Sequence, residues 1–355
     1  MTVPAVLGID IGGTKISLCV AAMSGKVVAS RRIETRSGDG APVVLDRLTS
    51  AARDLVRQVL EEHRADVHGV GVVPPGVGEA PAVRLAPNNR GWEAIALTAT
   101  VSERLGLAAV QADNDAKAAT AGEARWGALA GVTDGVLLNL GTGISAGAVV
   151  GGRLLRGGHG AALEIAYQVP SAGVVHGVGE GSAPLEERFS GAGLGASASA
   201  ALGRRTGTDE VFAAMRAARR CGGDAGAAVS GDDEALAALG EEALDLAARA
   251  VANLAIALDP EVIALSGGML RSADVITPTL ATALADLVPF PPRLVTAHFA
   301  EHAPLAGACL AAYRAAGADP PERLDLGSGA GAAPLHSSAA AARPRQQASN
   351  PQGVT

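Results

Sequence analysis

The apolar positions at the start of the chain fall into two short runs around a glycine-rich turn. Residues 6–9 form the first run, and after the turn Ile16, Leu18 and Val20 alternate with Ser17 and Cys19. That period of two marks a half-buried strand, so the pattern predicts a β-hairpin with "DIGGTK" (residues 10–15) at its tip. A third strand is expected over 26–34, a helix over about 43–62 and a strand over 69–73. A polar, proline-bearing loop over 74–92 then precedes a helix near 97–105 and a strand at 108–112. From residue 114 a helical stretch runs to about 126, and "VLLNLGTGISAGAVVGGRLL" repeats the opening theme of strand, glycine turn and strand over 136–150. A long Ala- and Leu-rich helix over about 234–258 leads into a buried strand that ends in paired glycines, "PEVIALSGGML". One more strand, "RLVTAHF", and a closing helix over 305–315 follow. Beyond about residue 325 the chain is Gly, Ala, Ser, Pro and Gln with few large apolar residues, which predicts a disordered tail.

Two such hairpins in one chain suggest two duplicated α/β domains facing a shared nucleotide. The expected division is an N-terminal α/β domain over 1–113, a larger C-terminal α/β domain over 114–298, a closing segment over 299–322 that packs back on the first domain, and a tail over 323–355. At 355 residues the chain is long enough for two cores, since single cores stop growing at about 250–300 residues.

Charge and composition narrow the partners. The formal net charge of −7 offers no basic stripe for nucleic acid, and aromatics at 2% offer few platforms for stacking bases. Cys19, Cys221 and Cys309 form no C-x-x-C pair, so neither a disulfide framework nor a thiolate metal site is expected. With no apolar run of membrane-spanning length, and a strand beginning too early to leave room for a signal peptide, a cytoplasmic location is expected.

The first glycine turn is neither of two familiar nucleotide loops. Gly8 and Gly13 have P-loop spacing, but Thr14 and Lys15 come in the wrong order and a strand follows. A dinucleotide fingerprint lacks both its spacing and its helix. What remains is a hairpin whose N–H groups at Gly12, Gly13 and Thr14 can face an anion, with Asp10 placed to hold a hydrated divalent cation. An ordinary glycine-rich turn is the competing reading.

The motifs "DIGGTK", "PNNRGW", "DNDAKAATAGEARWG", "NLGTGISAG", "ALEIAY", "PLEERFSG" and "LDPEVIALSGGML" occur in that order. Order and spacing resemble the ROK sugar kinases, of the two-domain, actin-like, ribonuclease H-like ATPase fold with an interdomain cleft, over about residues 6–315. The resemblance implies ATP with Mg²⁺, Asp10 near the Mg²⁺ through its water shell, and Lys15 nearby. Gly12, Gly13 and Thr14 would meet the phosphates from one side, Thr142 and Gly143 from the other, and Gly267 and Gly268 would let the backbone pass close to the adenosine. For the paired glycines, a plain strand-to-helix turn is the alternative.

Asp115 matches the family's general base, which takes the proton of the attacking hydroxyl. The alternative is that Asn114 and Asp115 merely cap a helix. By the same resemblance Asn88, Asn114, Glu164 and Glu186 bind acceptor hydroxyls, with Gly76 close to the sugar; Glu187 competes with Glu186, and a solvated helix face is the alternative for both. Family repressors carry a DNA-binding module before the first hairpin, whereas Asp10 here is almost N-terminal, which favours the kinase branch. A homodimer is the family expectation.

The chain departs from the family at one segment. Where most members read G-E-I-G-H, this chain has Leu163-Glu164-Ile165-Ala166-Tyr167, and the three cysteine positions of the family's zinc site hold Gly177, Gly179 and Pro184. No zinc is therefore expected, and nearby His176 alone does not suggest a metal. Tyr167 presents one O–H where the imidazole offers two ring nitrogens. Catalysis at a primary hydroxyl should be kept and recognition at the far end of the acceptor changed. Related kinases of secondary metabolism act on C7-cyclitols of the valienone and validone type or on amino sugars such as kanosamine. A carbocycle lacks the hemiacetal that the missing histidine would meet, so a cyclitol 7-kinase is the specific expectation. Glucokinase or kanosamine 6-kinase activity, polyphosphate as donor, and a catalytically silent sugar-sensing protein are the alternatives.

Overall fold

The computed structural model of the chain describes residues 1–74, 91–170, 176–221 and 230–326. The opening hairpin forms as its alternation predicts: β1 (Val3–Ile11) pairs antiparallel with β2 (Lys15–Ala22), with Asp10 opposite Ser17. β3 (Val27–Glu34) joins β2 as an edge strand, exposing Arg32 and Glu34. α1 (Ala41–His63) starts with a proline in its first turn and buries Val44, Leu45, Leu48, Ala52, Leu55 and Val59 along one face. It returns the chain to β4 (Ala65–Val73), parallel to β1. α2 (Leu97–Leu105) ends at Gly106 and leads to β5 (Val110–Ala112), parallel to β4. The first sheet thus has the order β3-β2-β1-β4-β5.

The second half repeats this plan. After α3 (Asp115–Trp126), β6 (Gly135–Leu140), β7 (Ile144–Val150) and the short β8 (Arg153–Leu154) form an antiparallel meander. Four helices follow: α4 (Pro184–Arg188), α5 (Gly191–Leu202), α6 (Thr208–Cys221) and α7 (Gly231–Leu258). β9 (Val262–Ser266), α8 (Ala273–Leu287) and β10 (Arg293–Thr296) then add parallel strands to β6. The order β10-β9-β6-β7-β8, read backwards, has the topology of the first sheet, a hairpin followed by two parallel strands. The apolar cluster on one face of this sheet includes Leu138, Leu140, Phe189, Phe212, Leu244, Val251, Ile263 and Leu265.

α9 (Ala303–Ala315) ties the halves together. It lies on β1 and β4 of the first sheet and against α3 of the second half. Both contacts are backbone-close: a Cβ at Gly71 would collide with the Ala308 carbonyl, and one at Gly307 with the Ala118 carbonyl. Only glycine permits either approach.

The chain beyond α9 differs from the expected tail over 323–355. Trp126 Nε1 donates to the Pro321 carbonyl (2.7 Å), Asp325 N donates to the Gly25 carbonyl (3.1 Å), and Leu324 is buried. The packed chain therefore continues through residue 326, because backbone groups of a Pro- and Asp-rich strap find partners that composition does not reveal. Residues 327–355 lie outside the described residues.

Candidate active site

Asp10 is the penultimate residue of β1 and Asp115 opens α3, so each half contributes one carboxylate. Depth within the molecule raises the Asp10 pKa to about 7, the Asp115 charge adds to this, and Lys15 and Arg32 oppose it. Asp115 is raised too, chiefly by burial, against the Ala116 N–H (2.7 Å) and Lys117. Asp10 is half-buried and Asp115 exposed, which leaves both open to a ligand. Asp115 also borders a cavity of about 30 Å³ with Asn139, Ser145, Ser266 and Pro304. A larger cavity of about 420 Å³, between α7 and α8, lies away from these carboxylates.

Asn114, 1% exposed, is the N-cap of α3: its Oδ1 accepts from Lys117 N at 2.7 Å. The capping alternative holds for this residue, leaving its amide NH₂ to donate. Asp113, one residue earlier, receives a two-pronged bond from Arg156 (2.8 and 2.6 Å). The "DND" turn is thus held from outside as well as by its own helix.

Glu164 sits 3.7 Å from Lys117 Nζ, and burial outweighs that cation to lift its pKa to about 7. Tyr167 is half-buried; burial, then the charges of Glu164 and Glu186, raise its pKa and keep the phenol a donor. Glu186 accepts from Ile144 N at 3.0 Å, just past the tip of the second hairpin, and its pKa is raised by burial and then by Asp115 and Glu187. Glu187 instead accepts from Ser182 Oγ (2.8 Å) and Ala183 N (2.9 Å), serving as a cap of α4. Of the two glutamates, Glu186 is the one that shares the electrostatic field of Asp115, Glu164 and Tyr167.

The glycine turns divide in a way the sequence does not show. Gly12 N donates to the Lys15 carbonyl (3.0 Å), so this amide closes the hairpin and is not available to an anion; Gly13 and Thr14 stand exposed at the tip. Lys15 pairs with Glu301, which lies just before α9. In the second hairpin Thr142 is exposed, and the carbonyls of Gly141 and Thr142 accept from Gly191 N (2.8 Å) and Ala192 N (2.9 Å) at the start of α5. Gly143 packs against Glu186, whose carboxyl occupies the space a Cβ would need. Gly267 has φ 100° and no room for a Cβ beside the Leu140 backbone, which accounts for this glycine by packing alone. Gly268 begins the short turn over 268–272.

Gly76 and Asn88 lie outside the described residues. Gly177 precedes a short turn, Gly179 lies within it and Pro184 opens α4; His176 pairs with Glu180. Among the described residues no group of three or more His, Cys, Asp or Glu is placed to hold a metal ion.

Sequence motifs assign no role to Lys117, Arg156, Glu123 or Glu301, although Lys117 and Glu123 lie within "DNDAKAATAGEARWG". Lys117 lies two residues after Asp115 in an Ala-rich helix, and only its burial marks it.

Comparison with known proteins bears on the family and the fold. The glucokinase of Halalkalibacterium halodurans is 29% identical over 280 residues, 76% of this chain and 81% of that protein. A ROK hexokinase from Thermus thermophilus superposes with a TM-score of 0.68 at 28% identity, over 87% of this chain and 98% of that one. A ROK glucokinase from Streptomyces griseus, solved in complex with glucose and AMPPNP, gives a TM-score of 0.65 at 26% identity, over 87% and 99% of the two chains. The ROK family profile matches residues 6–315. With two sheets of one repeated topology, joined by α9 and each presenting a glycine hairpin, the chain belongs to the ROK family and has its actin-like ATPase fold.

Proposed function

We propose that the protein is a phosphotransferase of the sugar-kinase class, moving the γ-phosphoryl group of ATP to the primary hydroxyl of a hexose or hexose-like acceptor, with Asp115 as general base. The observation that carries this is that each half supplies one carboxylate, Asp10 half-buried and Asp115 exposed, with the charge of Asp115 acting on Asp10. In the reaction the acceptor oxygen forms a bond to the γ-phosphorus, the bond from that phosphorus to the β–γ bridging oxygen breaks, ADP leaves, and the hydroxyl proton passes to Asp115. A base whose pKa lies above the ordinary carboxylate range holds that proton more readily.

The tip of the first hairpin, Gly13 and Thr14, on one side, and Thr142 with the partly covered Gly143 on the other, are the phosphate-facing groups of this reading, with Gly268 on the adenosine side. Lys15 adds a cation once it leaves Glu301. A divalent cation fits the donor set at Asp10, since positive charge there offsets the repulsion from Asp115. Mg²⁺ held through water would supply charge neutralisation on the phosphates.

Glu164, Glu186, Tyr167 and the Asn114 amide, together with Gly76 and Asn88, are the acceptor-binding set. Buried hydrogen-bonding groups of this kind discriminate strongly against analogues that lack a hydroxyl. Tyr167, held neutral beside two glutamates, can donate but cannot offer a second ring nitrogen to an anomeric centre. That supports a carbocyclic acceptor, a C7-cyclitol phosphorylated at its 7-hydroxyl, over glucose or an amino sugar. A coupled ADP-release assay with Mg-ATP, run on glucose, mannose, N-acetyl and amino hexoses, kanosamine, validone and valienone beside Asp115→Asn, tests both levels. Turnover on a cyclitol alone supports the specific reading, turnover on free hexoses replaces it, and no turnover above the mutant on any acceptor favours a sensing protein.

A further inference from the structure

Lys117 is buried to 1% exposure, and its ammonium has two partners. Nζ donates to the Ala162 carbonyl at 2.6 Å and lies 3.7 Å from Glu164 Oε1. The residue between them, Leu163, has φ 63°. A leucine in the left-handed region brings its Cβ against its own carbonyl oxygen, and such a conformation persists only where the surroundings over-determine it. Other restraints act on this turn: Ala162 N donates to the Arg156 carbonyl (3.0 Å), Ile165 N to the Leu163 carbonyl (2.8 Å), and the Leu163 side chain packs on the second-half core. The Glu164 N–H also reaches the Ala161 carbonyl (3.4 Å) across Leu163, and the Lys117 ammonium is the side-chain group that reaches a partner on each side of it. The same helix carries Asp115 two residues earlier, and Asp113, Asp115, Glu164 and Arg156 are the charged groups that act on the ammonium.

We infer that Lys117 is a positioning residue: its ammonium clamps residues 162 and 164 across the left-handed Leu163 and so fixes the Glu164 carboxylate relative to Asp115. The consequence for function rests on the proposed reading of Glu164 as an acceptor ligand. Because glycine adopts the left-handed region freely, the clamp and a non-glycine residue at 163 should depend on each other.

The test is a double-mutant cycle of Lys117→Met and Leu163→Gly, read by thermal unfolding and by steady-state kinetics. Loss of the packed leucine side chain occurs in both backgrounds and cancels in the cycle. The expected result is that Lys117→Met lowers the melting temperature and that Leu163→Gly is more harmful by roughly 2–4 °C in the Lys117→Met background than in the wild type, because a leucine freed of the clamp leaves the left-handed region and glycine then has less strain to relieve. In kinetics, Lys117→Met should raise KM for the acceptor on the order of tenfold to a hundredfold while KM for ATP stays within about twofold, because only the acceptor ligand is misplaced. Additive effects on unfolding, or an equal rise in both KM values, would overturn the clamp. Should Lys117→Met fail to fold, Lys117→Gln, which gives up the charge and the reach to Glu164, takes its place in the cycle with the same two outcomes. If the wild type turns over no hexose-like acceptor, the reading of Glu164 falls, and the unfolding cycle, which needs no substrate, still decides the clamp.

Discussion

Asp115 and Asp10 lie 105 positions apart in the sequence, and the charge of Asp115 raises the electrostatic cost of ionising Asp10. Removing the base should therefore separate binding from turnover: Asp115→Asn is expected to lower kcat by about 10²–10⁴ while acceptor and ATP still bind, measured by ADP release against equilibrium binding. The raised carboxyls also fix the sign of two pH effects. Asp10 and Glu164, both near 7, must be ionised to meet a cation and acceptor hydroxyls, so kcat/KM should fall as pH drops below about 7. Stability of the ligand-free protein runs the other way. A carboxyl with a raised native pKa contributes stability that is fully present below its unfolded value and is lost as pH rises through its folded value. The melting temperature should therefore decline between about pH 4 and pH 7, and decline less in Asp10→Asn; an equal decline in both proteins would remove Asp10 as the cause. At this scale the sequence identifies residues with a motif behind them. It leaves Glu186 and Glu187 equivalent until the α4 cap takes one, and it hides Lys117, whose neighbours in "DAKAAT" suggest a solvated lysine.

Among the elements, the two hairpins, α1, α2, α3 and α7 are legible because their apolar positions keep a clear period or sit between strong turn signals. α5, "GAGLGASASAAL", is not, since small residues carry almost no contrast between faces. α6 and α8 fall in the stretches between recognisable motifs, where no strand pattern forces an assignment. α3 has a second role that its sequence does not announce. Glu123, fully buried near its C-terminal end, accepts from Ala128 N (2.7 Å), His298 N (3.1 Å) and Phe299 N (2.7 Å). One carboxylate thereby fastens the helix of Asp115 to the segment entering α9. Glu123→Ala leaves three amides without that acceptor and should cost about 3 kcal/mol or more in urea unfolding, whereas Glu123→Gln, which keeps one acceptor oxygen, should cost less. Equal losses for the two variants would mean that packing, not hydrogen bonding, is what Glu123 supplies.

For the whole molecule, α9 is the shared wall of the two halves, and its glycine contacts set how closely they approach. Gly307→Ala is expected to destabilise by about 1–3 kcal/mol through overpacking against Ala118, measured by thermal unfolding. The same wall orders events during synthesis. One face of the first sheet, with Val6, Cys19 and Ala21, is covered by Cys309, Ala312 and Tyr313 of α9, and Tyr313 Oη donates to the Ala22 carbonyl at 2.7 Å. At about 5–20 residues per second, α9 leaves the ribosome on the order of ten to fifty seconds after β4. Throughout that interval the nascent first half carries an open apolar face, so its native state cannot be reached before α9 emerges. The growing chain is thus exposed to aggregation through a face that the finished protein covers.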